Sequence, residues 1–191
     1  TNLETVQFLE RIGFTRVVLS RELSLDEIRH ICENAKAEIE VFIHGALCIS
    51  YSGQCLMSSF IGGRSGNRGS CAQPCRLPYQ LVTVDGEQIT HDKETYIMSP
   101  KDLNYSAYIK ELIEAGVASF KVEGRMKKVS YVHEVIGTYR TIIDRSGQAT
   151  EADFALLEEG FNRGFSTAYL ENNGSKSMMT ISAPNHLGKY L

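Results

Sequence analysis

Glu38-Ile39-Glu40-Val41-Phe42-Ile43-His44, followed at once by Gly45, is the stretch on which the fold turns. It is an apolar strand that runs directly into a long glycine-rich loop over residues 45–77. Toward the N-terminus, Ser24 caps a helix over residues 25–35, with Glu27 in its first turn. Arg16-Val17-Val18-Leu19-Ser20 forms a shorter strand before it. Residues 3–12 form a helix with Leu3, Val6, Phe8 and Leu9 on one face, stopped by Gly13. Beyond the loop, residues 79–89 pattern as a β-hairpin turning at Asp85-Gly86. Tyr96-Ile97-Met98-Ser99 is a third strand, residues 105–115 a helix ended by Gly116, and Ser119-Phe120-Lys121-Val122-Glu123 a fourth strand. A long helix over residues 129–145 carries Val132, Val135, Ile136, Tyr139 and Ile143 on its inner side.

Apolar strands alternating with helices predict an α/β fold with a parallel sheet. Four strands with a leading helix amount to the C-terminal half of a (β/α)8 barrel, a TIM-like architecture, with an open doubly wound sheet as the alternative. The expected organisation is a partial catalytic core over residues 1–147 and a helical, loop-rich extension over residues 148–191. The chain opens on Thr1 rather than Met, which reads as a fragment of a longer protein. Open sheet edges in such a fragment favour self-association, so a homodimer is an expected state.

The 191 residues are 42% hydrophobic and 23% charged, the balance of a globular domain. A net charge of −3 gives no global attraction to nucleic acid, although a local basic patch suffices for RNA. No apolar run reaches the roughly 18 residues that a membrane span needs. The sequence shows no signal peptide, and the expected compartment is the reducing cytoplasm, where disulfides are rare.

Four of the five cysteines stand as Cys48-x6-Cys55-x15-Cys71-x3-Cys75, while Cys32 lies apart in a helical pattern. Clustered thiolates in a glycine-rich loop are soft ligands suited to zinc or an iron–sulfur cluster. Structural zinc sites pair their cysteines more closely, so the wide gaps favour a [4Fe–4S] cluster, with zinc as the alternative.

Polar side chains follow each strand. In parallel α/β folds those strand ends face the active site. His44 ends the second strand, Arg21 and Glu22 follow the first, and Lys101 and Asp102 follow the third. Lys121 and Glu123, two apart in an extended strand, point to one side, with Arg125 just after them. His44, Lys121, Glu123 and Arg125 are the candidate catalytic residues. Arg64, Arg68 and Arg76 in the cysteine loop are candidates for holding a carboxylate or phosphate. Lys127 and Lys128 extend a second basic cluster that begins at Arg125.

The stretch Glu40-Val41-Phe42-Ile43-His44-Gly45-Ala46-Leu47-Cys48, then Ser50-Tyr51-Ser52-Gly53-Gln54-Cys55, resembles the signature of the peptidase U32 family, the collagenase-like peptidases. Gly63 to Arg76, Ser99-Pro100-Lys101-Asp102-Leu103, Lys121 to Lys127 and Asn162-Arg163-Gly164-Phe165 also resemble family blocks. The resemblance implies a barrel-like domain whose first half precedes this chain. It further implies four cysteines holding a [4Fe–4S] cluster and dioxygen-independent hydroxylation. The most similar members are tRNA wobble-uridine hydroxylation proteins, with prephenate as the oxygen source. Proteolysis, the traditional family label, is the alternative, and a non-catalytic binding or assembly module is a third. A protease needs an activated nucleophile or an open metal position. Ligation would consume four of the thiols, and no H-E-x-x-H motif is present.

Overall fold

The computed structural model describes residues 1–90, 95–124, 127–172 and 176–180. Its centre is an eight-residue strand, β2 (Glu38–Gly45), in which Ile39, Val41 and Ile43 are buried. On one edge β2 carries β1 (Arg16–Val18), parallel, with Val17 opposite Ile39. On the other edge runs β5 (Ser119–Val122), also parallel. The far end of β2 pairs antiparallel with β4 (Asp102–Asn104), His44 facing Asn104. β6 (Phe165–Ser166) then lies parallel to β4. The sheet is mixed α/β in character and mostly parallel, a shape compatible with part of a barrel.

The helices form where local chemistry favours them. α1 (Leu3–Arg11) starts at Asn2, whose side chain accepts from the Thr5 amide. α2 (Leu25–Asn34) opens with a capping box between Ser24 and Glu27. α4 (Ile109–Glu114) follows a 3-10 turn over Ser106–Tyr108. α5 (Val129–Asp144) is the longest helix, and α6 (Glu151–Glu159) begins with a second capping box, Thr150 with Asp153. Residues after 148 thus supply α6 and the sheet strand β6. Among the described residues no helix is long and apolar enough to cross a membrane.

Three sequence expectations change. The third strand does not run over residues 96–99. Tyr96 to Met98 turn, β3 (Ser99–Pro100) pairs outside the main sheet with β7 (Met179–Thr180), and the sheet strand is β4. Its antiparallel direction replaces the all-parallel sheet. The hairpin over residues 79–89 is reduced to a single antiparallel bridge, Val82 with Gln88, around a turn where Gly86 takes a positive φ of 86°. The buried face of α5 is Tyr131, Val135, Thr138, Tyr139 and Ile142, while Val132 and Ile136 are exposed. Apolarity alone pointed to the neighbouring stripe. The tyrosines bring more area, and Tyr139 finds polar partners under the sheet.

Candidate functional site

One irregularity in β2 sets up the site. Phe42 pairs with Lys121 and His44 with Val122, so Ile43 is an extra residue, a β-bulge. A bulge interrupts the alternation of faces and re-aims the next side chain. His44 is accordingly buried, 1% exposed, among the rings of Tyr131, Tyr139 and Phe165. Its Nδ1 lies 3.2 Å from the Tyr139 hydroxyl. That hydroxyl has one proton and is also 3.1 Å from both the Ile43 carbonyl and Asn104 Oδ1. The arrangement is satisfied when His44 Nδ1–H donates to Tyr139 and Tyr139 donates onward. Burial, and next the charge of Lys127, push the imidazole down to about 3, so it is neutral at ordinary pH.

Gly45 follows with φ +105°, and a Cβ there would lie 2.4 Å from the Glu123 carbonyl oxygen. Glycine is required at this close approach. The Glu123 amide in turn donates to the His44 carbonyl at 2.9 Å. His44 and Glu123 are thus backbone neighbours whose side chains take different partners. Glu123 meets Arg21 at 3.4 Å, and the Arg21 guanidinium stacks 3.7 Å from the Phe42 ring centroid. Lys121 flanks the same ring at 5.4 Å but pairs with Glu40 at 3.2 Å, back along the strand from His44. Arg125 lies outside the described residues.

The loop after Gly45 carries the cysteines. It folds into α3 (Met57–Gly62) and two 3-10 turns, Gly66–Arg68 and Pro74–Arg76. Its fastenings are mostly internal: Asn67 donates to the Gly53 carbonyl, Arg64 to the Ser70 carbonyl, and the Ala72 amide to Ser58 Oγ. Ser52 donates to Glu22 from both its amide and its hydroxyl. All five cysteines are free thiols, Cys48 and Cys71 exposed, Cys55 and Cys75 half-buried. Burial pushes the Cys75 thiol up; Arg76 draws it down, and Cys48, Cys71 and Cys55 each raise it further. Four thiols therefore share one electrostatic neighbourhood. They are not drawn into a closed ligand set: among the described residues no three His, Cys, Asp or Glu side chains stand ready to hold a metal ion. The chemistry of the donor set fits a thiolate-bound metal or cluster, and loading would have to pull the thiols together.

The candidate arginines divide. Arg64 and Arg68 are exposed and line an open cavity of about 580 Å3 with Gly63, Ser65 and Ser70. Arg76 turns inward, donating to Ser99 Oγ and the Leu47 carbonyl, each at 2.8 Å, and to the Pro100 carbonyl. There it approaches a group that the sequence did not single out as a site. Arg163 donates to Asp102 at 2.9 Å, with the two side chains only 9% and 3% exposed. Lys127 rests 3.1 Å from the Phe161 ring centroid, and Arg163 lies 4.9 Å from the same point. Burial first, then Arg163, bring the Lys127 ammonium down to about 8. Sequence flagged Lys127 only as part of a basic run and a motif block, and Arg163 only within another motif block. Their convergence depends on β6 and the start of α5 meeting at β4, which no local pattern announces.

The sequence model of Peptidase family U32 matches residues 1–180. Among curated proteins, a 23S rRNA 5-hydroxycytidine synthase of Escherichia coli is 41% identical, over 97% of this chain and 30% of its own length. A tRNA hydroxylation protein P1 of Bacillus subtilis is 41% identical over 90% of this chain and 43% of its own. A protein named collagenase from Porphyromonas gingivalis is 37% identical, over 88% of this chain and 45% of its own. The chain thus spans less than half the length of each of these relatives. No solved structure matches it significantly. With a family match over nearly its whole length, the chain belongs to peptidase family U32.

Proposed function

We propose that this chain is part of an enzyme that hydroxylates an RNA base without dioxygen, using a [4Fe–4S] cluster held by Cys48, Cys55, Cys71 and Cys75. The observation that carries the reading is the set of four free thiols on one loop, three of them felt electrostatically at the fourth, Cys75. Such a set suits iron–sulfur ligation, and zinc is the competing metal. When bound, the cluster would supply electron transfer and a Lewis-acidic iron. This chain's own residues would do the rest. Arg64 and Arg68, exposed at an open cavity beside the loop, suit RNA phosphates. Arg21 holds Glu123 in place at the strand ends. The relatives named for RNA hydroxylation support an RNA base as substrate. Within that class the proposed target is a tRNA wobble uridine, with prephenate as the oxygen source.

The proteolytic reading finds no catalytic pair among the described residues. His44 Nδ1 is engaged by Tyr139, and the Ser52 hydroxyl donates to Glu22 rather than to a histidine. The test is anaerobic reconstitution of the full-length protein. The expected result is about four irons per chain, lost on Cys→Ala at any of the four positions, together with tRNA hydroxylation. Stoichiometric zinc with no iron uptake would sink the reading. So would gelatin cleavage that co-purifies with the protein and vanishes on a single substitution.

A further inference from the structure

We propose that Arg76, Lys127 and Arg163, gathered around Asp102 at the head of β4, form a binding site for a small carboxylate-bearing co-substrate. The first argument is charge balance. Three cations influence one another here: Arg163 acts on both Arg76 and Lys127, and Arg76 acts on Lys127. Among the described residues the carboxylate in contact, Asp102, is committed to Arg163, and Glu123, which also acts on Lys127, is paired with Arg21. Arg76 makes its hydrogen bonds only to neutral oxygens, and among the described residues neither Arg76 nor Lys127 forms an ion pair. Leaving cations half-buried without a counter-charge is unfavourable unless something else supplies it.

The second argument is an orphaned donor. Arg163 Nε is buried and has no hydrogen-bond partner, although its side chain is nine-tenths buried and Nη1 is well placed on Asp102. A buried guanidinium with a spare N–H can donate to a further oxygen. Lys127, held over the Phe161 ring close to Arg163, supplies a second donor at the same place.

The degree of burial selects the ligand class. A polynucleotide keeps its phosphates on the outside of the complex, which suits the exposed Arg64 and Arg68. Arg163 and Asp102 are too enclosed for a polynucleotide backbone, which restricts any ligand there to a small anion. Arg76 adjoins Cys75 in sequence and feels both Cys75 and Cys48. An anion held there would lie beside the thiols. The site's assignment to a co-substrate, though not its binding of a carboxylate, rests on the hydroxylation reading.

The experiment titrates prephenate, succinate and inorganic phosphate into the iron-loaded full-length protein by calorimetry, for the wild type and for Lys127→Met, Lys127→Arg and Arg163→Lys. Prephenate should bind the wild type. It should bind about tenfold or more weakly to Lys127→Met and Arg163→Lys, and recover in Lys127→Arg, with iron content and tRNA retention unchanged. No carboxylate binding to the wild type would overturn the proposal, as would equal binding by all variants. Phosphate binding as tight as either carboxylate would overturn the assignment to carboxylates. Carboxylate binding that depends on Lys127 in a protein that never hydroxylates RNA would leave the site standing and defeat the hydroxylation reading. Hydroxylation that proceeds equally in Lys127→Met would do the reverse.

Discussion

The two ends of one continuous segment, β2 and the cysteine loop that leaves it, are built on different physics. β2 buries Ile39, Val41, Ile43 and His44 and is paired on both edges. The loop leaves Cys48, Cys71, Tyr51, Phe60 and Ile61 exposed and fastens itself largely by its own hydrogen bonds. The strand is specified by what it excludes from water. Leu47 excepted, the loop's large apolar side chains and its thiols are not part of the buried core. The comparison teaches where to look for function, because a segment that stability does not explain is a segment kept for chemistry.

The sharpest way to break the comparison is at the junction. Gly45→Ala should be the most damaging single change, costing about 3 kcal/mol or more, because the added Cβ meets the Glu123 carbonyl at a positive φ. Chemical denaturation checks it, and a loss below about 1 kcal/mol would show that the junction yields.

On the strand side the next effect is pH-dependent. His44 is pushed down to about 3 from an ordinary 6.5 by its burial. Tyr131 and Tyr139 of α5, Asn104 of β4 and Lys127 face it. Between those values the unfolded chain binds a proton that the folded chain refuses, so stability falls as pH drops from 6.5 toward 3. The slope from this residue approaches ~1.4 kcal/mol per pH unit at most. Denaturation midpoints of the wild type and His44→Gln across that range measure it. Parallel curves would refute the neutral, enclosed imidazole.

On the loop side the expected stability effect is smaller. Cys48→Ala and Cys71→Ala should each change the stability of the metal-free chain by less than about 0.5 kcal/mol, since both side chains are exposed. Iron binding is the property they should abolish. A large loss in the metal-free protein would mean that the loop has a core after all. Smallest of all, Asp144→Ala on the outer face of α5 removes an exposed pair with Arg140 and should cost about 0.5 kcal/mol or less.

Sequence reading located α1, α2, α5 and the strands β1, β2 and β5 to within a residue or two, because Ser24, Gly13 and the apolar runs are local signals, but it began α4 four residues early and read α3 as loop. It located the cysteine loop for the same reason. It misplaced the third strand because Tyr96 to Ser99 is as apolar as a strand, whereas Asp102-Leu103-Asn104 reads as polar. The two polar residues are buried there, with Asp102 on Arg163 and Asn104 Oδ1 accepting from the Ser106 amide and from Tyr139. Tertiary partners, not pattern, make that strand. His44 illustrates the same limit. Its position at a strand end was legible, but a single extra residue, Ile43, turned it from the strand-end face toward α5. Arg163 stands some sixty residues from Asp102, and no spacing rule joins them.

The contact between Gly45 and Glu123 also has a consequence for motion. The loop leaves the sheet through a residue wedged against the end of β5, and the Glu123 amide is tied back to His44. The joint therefore fixes the point from which the loop sets out, and any rearrangement of the thiols has to be taken up beyond Gly45.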